Sequence, residues 1–268
     1  VQKYNSKFKT LRAALDYTGL TEVVSENRFT VLAPTDEAFE MLFDELGIDG
    51  IYDLSAQDLT PILLYHVFTG MVYSTDLSNG YATTANGASV KVMVNGSVMF
   101  NDATVLAADI KAMNGVIHAI DKVLLPPTLV DLALGNPDFS ILVQAVVKAG
   151  LVETLASGEY TVFAPTNAAF LDLLDELGPT VNSLDDIDTG LLTQVLLYHV
   201  IPGKVYSTDL PAGPLSVTTA QGEDFVIDAS LLQITDVNSR TANLGPLDIS
   251  ATNGVIHVIS KVILPTLP

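Results

Sequence analysis

The amino-acid sequence predicts the α+β fold class, and it predicts the same fold twice. In each half of the chain, helix signals come first and strand signals follow. The strand signals alternate apolar and polar residues and are separated by Asn-Gly pairs, which are typical of antiparallel hairpins. The same ordered motifs then recur roughly 130 residues later. Helices followed by antiparallel strands favour helices packed on a sheet or an open sandwich.

The repeat is clearest at Leu-Leu-Tyr-His-Val, which occupies residues 63–67 and again residues 196–200. The hexapeptide Val-Tyr-Ser-Thr-Asp-Leu follows each copy at the same distance, at 72–77 and 205–210. Ala-Pro-Thr precedes each copy, and Asn-Gly-Val-Ile-His comes after it. Four markers in one order indicate a tandem duplication, with domain 1 at residues 1–127 and domain 2 at 128–268.

Capping residues place the helices. A short amphipathic helix over 11–18 is closed by Gly19, and its counterpart over 141–149 has Ser140 as N-cap. Thr35 caps a second helix over 36–46, which residues 166–177 repeat in domain 2. Thr60-Pro61 predicts a third helix over 62–67, because proline is favoured at the first helical position.

Strand signals occupy the remaining segments. Residues 29–33 form a strand that Pro34 ends, and residues 91–94 and 98–101 form a hairpin. Asn-Gly turns are predicted at 86–87, 95–96 and 114–115. Domain 2 repeats the last of these turns at 253–254, before its closing strand.

The two ends of the chain match the junction between the domains. Aligning Phe8 with Phe139 leaves domain 1 without most of the helix that begins at Thr128, so its first helix is predicted to be truncated. Residues 264–268, Leu-Pro-Thr-Leu-Pro, repeat the pattern of residues 125–129. This predicts a head-to-tail contact between copies, which propagates into a filament unless it closes into a ring.

Composition excludes several function classes. The chain has 268 residues, 49% of them apolar, and a net charge of −19, so it should repel nucleic acid and anionic lipid. It has no cysteine, so neither a disulfide nor a thiolate is available. No apolar run is long enough to span a bilayer. The first residues carry no signal pattern, and we expect that a targeting segment was removed or trimmed.

Candidate chemistry rests on the four histidines, and all of them lie in the repeated motifs: His66, His118, His199 and His257. They fit either a metal or acid–base pair in each domain or buried residues that join a helix to the sheet, and their apolar neighbours favour burial. His66 and His199 are predicted to be buried and hydrogen-bonded beside the closing strand of their domain.

Other catalytic signatures are absent from the sequence. There is no Gly-x-Ser-x-Gly elbow and no phosphate loop, so no enzyme activity and no cofactor are predicted. The acids Asp185, Asp186 and Asp188 lack calcium-loop spacing and predict at most weak Ca²⁺ binding. Asn95 opens an acceptor sequon for glycosylation on a predicted hairpin tip.

Together, Ala-Pro-Thr, Leu-Leu-Tyr-His-Val and Asn-Gly-Val-Ile-His resemble the fasciclin-like domain over nearly the whole chain, twice. The resemblance implies a β-sandwich or wedge with several helices along one side, in a non-catalytic adhesion protein of a cell surface or matrix. It also implies binding positions, at a Tyr-His motif and at an Asp-Ile pair before the last strand. The matching residues are Tyr65, His66, Asp109, Ile110, Tyr198, His199, Asp248 and Ile249.

The sequence therefore supports a secreted two-domain protein that mediates protein–protein or matrix contacts. The acidic balance and the missing cysteines indicate a prokaryotic source. Two alternatives stay open: a polysaccharide-binding module of a degradation or uptake system, which exposed aromatic residues in a row would favour, and an enzyme that uses the histidine pairs.

Overall fold

The computed structural model describes residues 7–179 and 181–266, in two compact units, Val1–Pro126 (unit 1) and Pro127–Pro268 (unit 2). The predicted truncation of the first helix falls on residues 1–6, and the last two residues of the repeated Leu-Pro-Thr-Leu-Pro segment are 267 and 268. Both predictions therefore lie wholly or partly outside the described residues.

Unit 1 places its helices before most of its strands. Its helices are α1 (Lys9–Thr18), α2 (Thr21–Glu26), α3 (Asp36–Leu46) and α4 (Ala56–Tyr65). Its strands are β1 (Phe29–Pro34), β2 (Val67–Thr69), β3 (Gly80–Thr83), β4 (Ser89–Val94), β5 (Val98–Phe100), β6 (Ala103–Lys111) and β7 (Gly115–Ile120). They form one sheet in the order β2-β1-β7-β6-β5-β4-β3.

Unit 2 repeats this order, and at its start it has one helix more than residues 7–126 of unit 1. Its helices are α5 (Leu129–Leu134), α6 (Ser140–Lys148), α7 (Val152–Ser157), α8 (Asn167–Leu177) and α9 (Thr189–Tyr198). Its strands are β8 (Tyr160–Pro165), β9 (Val200–Pro202), β10 (Pro214–Thr218), β11 (Asp224–Asp228), β12 (Gln233–Thr235), β13 (Thr241–Asn243), β14 (Ile249–Ala251) and β15 (Gly254–Ile259). They form two sheets, β10-β11-β12-β13 and β14-β15-β8-β9.

The α+β class and the hairpin of β4 and β5 are confirmed, with Val94 opposite Val98. Most neighbouring strands pair antiparallel, as expected, but each unit also has a parallel pair that the sequence did not predict, β1 with β7 and β8 with β15. These pairs bring a strand from the start of each unit beside its last strand. Each unit is thereby closed by a long-range contact.

Helix α3 begins and ends where its capping residues predict. The Thr35 hydroxyl accepts a hydrogen bond from the backbone N–H of Ala38 (3.2 Å), and Gly47 ends the helix in the left-handed conformation. Phe39 and Leu42 face the core. Thr166 caps α8 in the same way.

The predicted start of α4 is wrong. The helix begins at Ala56 with Ser55 as N-cap, whose hydroxyl accepts from the Asp58 N–H (3.2 Å), so Pro61 lies inside the helix. A proline there removes one backbone hydrogen bond. Burial of Leu59 and Leu63 on the same helical face compensates for that loss.

The core of unit 1 has two apolar clusters. One lies within the sheet and includes Leu32, Tyr65 and Phe100. The other lies between the helices and the sheet and includes Phe39 and Leu63. Because α4 contributes to both clusters, the Leu-Leu-Tyr-His end of this helix is fixed in the centre of the unit.

Candidate functional site

His66 ends α4 and is 1% exposed. Its Nε2 accepts a hydrogen bond from the backbone N–H of Leu124 (2.9 Å), so Nε2 carries no proton. Its Nδ1 therefore carries the proton and donates to the Ile62 carbonyl (2.8 Å). The ring is neutral and joins the end of the helix to the segment after β7. Burial lowers its pKa to about 4.

His199 repeats this arrangement at the end of α9. Its Nδ1 donates to the Val195 carbonyl (2.7 Å), and its Nε2 accepts from the N–H of Ile263 (3.1 Å). The ring is 2% exposed, and burial again lowers its pKa to about 4. The prediction that His66 and His199 are buried and hydrogen-bonded is confirmed, and their partners Leu124 and Ile263 lie just after the closing strands.

The second histidine of each unit lies on the closing strand. His118 on β7 donates from Nε2 to the Val72 carbonyl (3.0 Å), and its Nδ1 accepts from the N–H of Asp109 (3.3 Å). His257 does the same with Val205 (2.9 Å) and Asp248 (3.2 Å). Burial lowers the pKa of His257. These rings therefore fasten the start of the repeated hexapeptide to the last strands.

Asp109 holds the hexapeptide from the other side. Its carboxylate accepts from the backbone N–H of Ser74 (2.8 Å) and from the Ser74 hydroxyl (2.6 Å), and these bonds lower its pKa. Asp248 binds the N–H of Ser207 (2.7 Å) and its hydroxyl in the same way. Both aspartates have positive φ, 59° and 58°, a conformation that aspartate tolerates better than most residues.

Tyr65 and Tyr198 are fully buried and hydrogen-bonded. The Tyr65 hydroxyl donates to the Ser89 carbonyl (2.8 Å) and accepts from the Asn101 side chain (3.1 Å). Tyr198 donates to the Asp224 carbonyl (2.9 Å) and accepts from the N–H of Val237 (3.3 Å). Burial raises the pKa of each phenol to about 12, so both stay protonated as donors.

The residues implied by resemblance thus fall into two hydrogen-bond networks in each unit. Tyr65 and His66 belong to the helix end, whereas Asp109 belongs to the hexapeptide network, with Ile110 half-buried beside it. In unit 2, Tyr198 and His199 correspond to the first network, and Asp248 and the buried Ile249 to the second. That a partner binds these positions stays a prediction. A partner can reach Asp109 and Ile110 directly but can reach the enclosed rings only if the unit opens.

Sequence reasoning missed two polar positions that complete these networks. Thr30 on β1 is fully buried, donates to the Gly70 carbonyl (3.0 Å) and accepts from the N–H of Val72 (2.8 Å). Thr161 makes the equivalent bonds to Gly203 and Val205 (2.8 Å each). The signal was present, because a threonine directly follows Arg-Phe or Glu-Tyr in an apolar strand segment. A polar residue within a strand does not, however, reveal its hydrogen-bond partner.

The other candidate positions have local roles. The Asp186 carboxylate accepts from the N–H groups of Asn182 (2.9 Å) and Ser183 (3.0 Å), and Asp188 caps α9. Asp185 lies 4.0 Å from the Lys148 ammonium group. Within residues 7–179 and 181–266, no group of three or more histidine or acidic side chains is arranged to hold a metal ion. Weak Ca²⁺ binding stays a prediction.

Asn95 lies exposed on the turn between β4 and β5. Its backbone N–H donates to the Ser97 carbonyl (3.2 Å), and Gly96 has positive φ of 83°. The acceptor amide is therefore in the three-residue loop at the tip of the hairpin. Its glycosylation stays a prediction.

Comparison with known proteins identifies the family. The fasciclin domain model matches residues 6–126 and 137–265, which is most of both units. The chain belongs to the fasciclin domain family. A fasciclin relative in Synechocystis, protein sll1483, is 38% identical over 141 residues, covering 52% of this chain and 74% of that protein.

Animal fasciclin proteins are also similar. Transforming growth factor-beta-induced protein ig-h3 of Sus scrofa is 30% identical over 271 residues, covering 98% of this chain. This chain spans 37% of that relative's length. The solved FAS1 domain pair of the insect cell adhesion molecule fasciclin I is 21% identical, with 97% of both chains covered and a TM-score of 0.49. Within the described fasciclin units, no helix is long and apolar enough to cross a membrane.

The Ser74–Asp109 contact gives a testable consequence. Ser74→Ala removes the hydroxyl donor but leaves the backbone N–H bond to Asp109, so we expect a loss of about 1 kcal/mol in the free energy of unfolding. The pKa of Asp109 should rise, because the Ser74 side chain is the main cause of its lowering. Carboxyl titration by NMR and urea denaturation measure the two effects.

Thr75→Ala is the matched control, since it removes a neighbouring exposed hydroxyl from the same hexapeptide. It should leave both values unchanged. Equal effects of the two substitutions would mean that the hydroxyl of Ser74 does not stabilise the hexapeptide.

Proposed function

We propose that this chain is a non-catalytic adhesion protein of a cell surface or extracellular matrix, which acts through protein–protein or matrix contacts. The observation that carries the proposal is that the polar residues of the repeated motifs make hydrogen bonds inside each unit. The four histidines bind backbone groups through both ring nitrogens. None of them presents a free nitrogen to a substrate. We therefore place the binding contacts on the outer surface of the protein.

Membership of the fasciclin family supports adhesion. The insect protein with the solved domain pair is a cell adhesion molecule by name. Because this chain spans only part of the animal relatives, their partners do not transfer to it as whole proteins. We therefore propose contacts with proteins or matrix outside the cell and name no specific receptor.

Charge determines how such contacts depend on ions. With a net charge of −19 and a pI near 4.2, two copies of the chain repel each other at neutral pH. Salt or divalent cations screen this repulsion. Contacts between copies should therefore strengthen as ionic strength or Ca²⁺ rises, even if each carboxylate binds Ca²⁺ weakly.

Head-to-tail assembly is the finer form of this proposal. The described part of the terminal segment, Leu264 to Thr266, is bound to unit 2. The Asn238 side chain donates to the Leu264 carbonyl (2.9 Å), and the Thr266 N–H donates to Glu223 (2.9 Å). These bonds fix Leu264 and Thr266 within unit 2. A contact of this end with the start of another copy is heterologous and would extend into a filament.

Polysaccharide binding gains no support from the exposed aromatic residues. Tyr52 and Tyr17 are exposed by 70% and 42%, and their ring centres are 5.3 Å apart. Their planes meet at 81°, so the two rings do not offer one flat face on which sugar rings could stack. Adhesion is therefore the function we propose.

Beads that carry the full chain test the proposal. They should aggregate, or attach to cells of the source organism, more than beads that carry an unrelated protein of equal negative charge. Attachment should increase with NaCl and with Ca²⁺. If coated beads behave like the charge-matched control at every ion concentration, the adhesion proposal is wrong.

Electron microscopy and light scattering of the free protein test the filament separately. Deletion of residues 265–268 should abolish filaments without changing the melting of unit 1. A full-length chain that stays monomeric at high concentration, with and without Ca²⁺, would exclude head-to-tail assembly but leave adhesion through other surfaces.

A further inference from the structure

Five Asn-Gly pairs occur in the chain, at residues 79–80, 86–87, 95–96, 114–115 and 253–254. The dipeptide is chemically reactive, because glycine has no side chain to hinder attack of its backbone nitrogen on the amide of the preceding asparagine. The two residues are the same at all five places. Differences in reactivity between the pairs must therefore come mainly from the structure that surrounds each of them.

The pair Asn95-Gly96 has no hydrogen bond on either reacting group. Both residues are exposed in the loop between β4 and β5. The Asn95 side chain makes no hydrogen bond within residues 7–179 and 181–266, and the Gly96 N–H donates to none of their acceptors. The bond from the Asn95 N–H to the Ser97 carbonyl (3.2 Å) uses neither group. The amide and the nitrogen that attacks it are therefore free to meet.

The pair Asn86-Gly87 is held at both reacting groups, although it also lies in a turn. Asn86 Oδ1 accepts from the Thr84 hydroxyl (2.7 Å) and from the Ala88 N–H (2.9 Å). The Gly87 N–H donates to the Thr84 carbonyl (2.9 Å). Attack of the glycine nitrogen on the amide would first have to break these bonds, so this turn protects its asparagine.

The pair Asn79-Gly80 is exposed like Asn95-Gly96, but it is bound to the neighbouring strand. Asn79 Oδ1 accepts from the backbone N–H of Val94 (2.6 Å). Gly80 begins β3 and is paired with Val92 in the antiparallel ladder of β3 and β4. Exposure alone therefore does not free this asparagine, because the ladder fixes both the amide and the backbone that would attack it.

The last two pairs stand at the start of the closing strands. Asn114 donates from Nδ2 to the carbonyls of Val24 and Asn27 (2.7 Å each). Asn253 donates in the same way to the carbonyl of Leu155 (2.8 Å). The glycine that follows each asparagine is buried and is the first residue of β7 or β15. Both asparagines are thus held by backbone groups beside the sheet.

We propose that Asn95 is a site of spontaneous deamidation, which converts it to aspartate or isoaspartate. The Gly96 nitrogen loses its proton to a base in the solvent and bonds to Asn95 Cγ, the Cγ–Nδ2 bond breaks, and ammonia leaves. Water then opens the resulting cyclic imide. Cleavage of the new bond at Cγ gives aspartate, and cleavage at the main-chain carbonyl gives isoaspartate. The net reaction consumes water, releases ammonia and involves no oxidation or reduction.

Deamidation changes the surface at the position of the glycosylation sequon. Each event adds a negative charge to a chain whose net charge is −19. It also removes the amide nitrogen to which a glycan would be attached, so a deamidated Asn95 can no longer be glycosylated. The inference concerns this hairpin alone and does not depend on the adhesion proposal.

Peptide mass spectrometry compares all five pairs in one sample of the full chain, produced without glycosylation and incubated in mildly alkaline buffer. Asn95 should deamidate at least about tenfold faster than each of the other four, because they must first break hydrogen bonds. In concentrated urea the five pairs should react at similar rates, since unfolding removes those bonds. If native Asn95 reacts no faster than Asn86 and Asn79, the proposal is wrong.

Two variants separate this reaction from other sources of charge. Asn95→Gln moves the amide one methylene further away, so that attack by the Gly96 nitrogen would need a larger and less favourable ring. On isoelectric focusing the incubated parent should develop an acidic band, and Asn95→Gln should not. Ser97→Ala destroys the sequon but keeps the Asn-Gly pair, and it should develop the band as the parent does. A band of equal strength in Asn95→Gln would assign the reaction to another asparagine and overturn the proposal.

Discussion

Between pH 6.5 and pH 4, each unit is expected to lose about 3 kcal/mol of its free energy of unfolding through the histidine that ends its last helix. In the folded chain the pKa of His66 and of His199 is lowered to about 4 by burial, against 6.5 in the unfolded chain. The unfolded state therefore binds more protons throughout this interval. A lowered histidine pKa means that stability is complete above pH 6.5 and falls as the pH drops toward 4.

The structural reason is the loss of an acceptor. Protonation of Nε2 would place two donors, the His66 ring and the Leu124 N–H, against each other in a buried site. His257 adds to the loss in unit 2, because burial also lowers its pKa. The carboxylate of Asp109, whose pKa is lowered, begins to lose its contribution only at lower pH, so the histidine interval can be separated.

Urea denaturation at pH 7, 6, 5 and 4.5, followed by circular dichroism, measures this slope. His66→Gln is the matched variant, because an amide also offers a donor and an acceptor but does not titrate in this range. It should flatten the pH dependence of unit 1 and leave that of unit 2. Approach to the pI reduces charge repulsion in parent and variant alike, so the difference between them isolates the histidine. An unchanged slope in the variant would mean that His66 is not the titrating group.

Local sequence patterns predicted a helix well where a capping residue stands at each of its ends. Thr35 and Gly47 delimit α3, and the predicted range 36–46 is the observed one. Helix α4 was misplaced because Thr60-Pro61 and Ser55-x-x-Asp58 both fit a helix start. Only the tertiary structure, which buries Leu59 on the same face as Leu63, decides for the earlier start.

The Asn-Gly pairs show that glycine can be required in one motif for two different structural reasons. Gly87 and Gly96 have positive φ of 87° and 83° in tight turns, as the motif predicts. Gly115 does not have positive φ, because its requirement is the close approach of β1. A sequence pattern cannot express that requirement, since β1 and β7 are separated by most of the unit. The same distance hid the parallel pairing of these strands and the role of Thr30.

The sequence indicated which residues form the candidate site, but it did not indicate the hydrogen bonds that they make. Repetition directed attention to His66, whose apolar neighbours indicated burial, whereas Asp109 was indicated by the family resemblance. Their hydrogen-bond partners, Leu124 and Ser74, lie 58 and 35 residues away in the chain. The sequence therefore identified the residues of the site. Their hydrogen bonds to distant segments form only when the sheet closes.

Gly115→Ala is expected to lower the free energy of unfolding of unit 1 by about 3 kcal/mol or more, because its Cβ would overlap the backbone. That atom would lie 2.0 Å from the Phe29 carbonyl oxygen and 3.1 Å from its carbon. Neither can move without breaking the parallel ladder of β1 and β7. Gly50→Ala is the control, since a Cβ there meets nothing within 4 Å, and its stability should change by less than about 1 kcal/mol.

Gly254→Ala tests the same contact where α5 is in place. Its Cβ would meet the Tyr160 carbonyl oxygen at 2.1 Å as well as the Leu129 side chain at 2.6 Å. Leu129→Ala in the Gly254→Ala chain relieves the side-chain overlap but not the backbone overlap, so it should restore little stability. Denaturation of both single variants and of the double variant measures this. If Leu129→Ala restores unit 2 fully, the leucine rather than the β8 backbone imposes glycine at this position, and Gly115, which has no such leucine over it among the described residues, should then tolerate alanine.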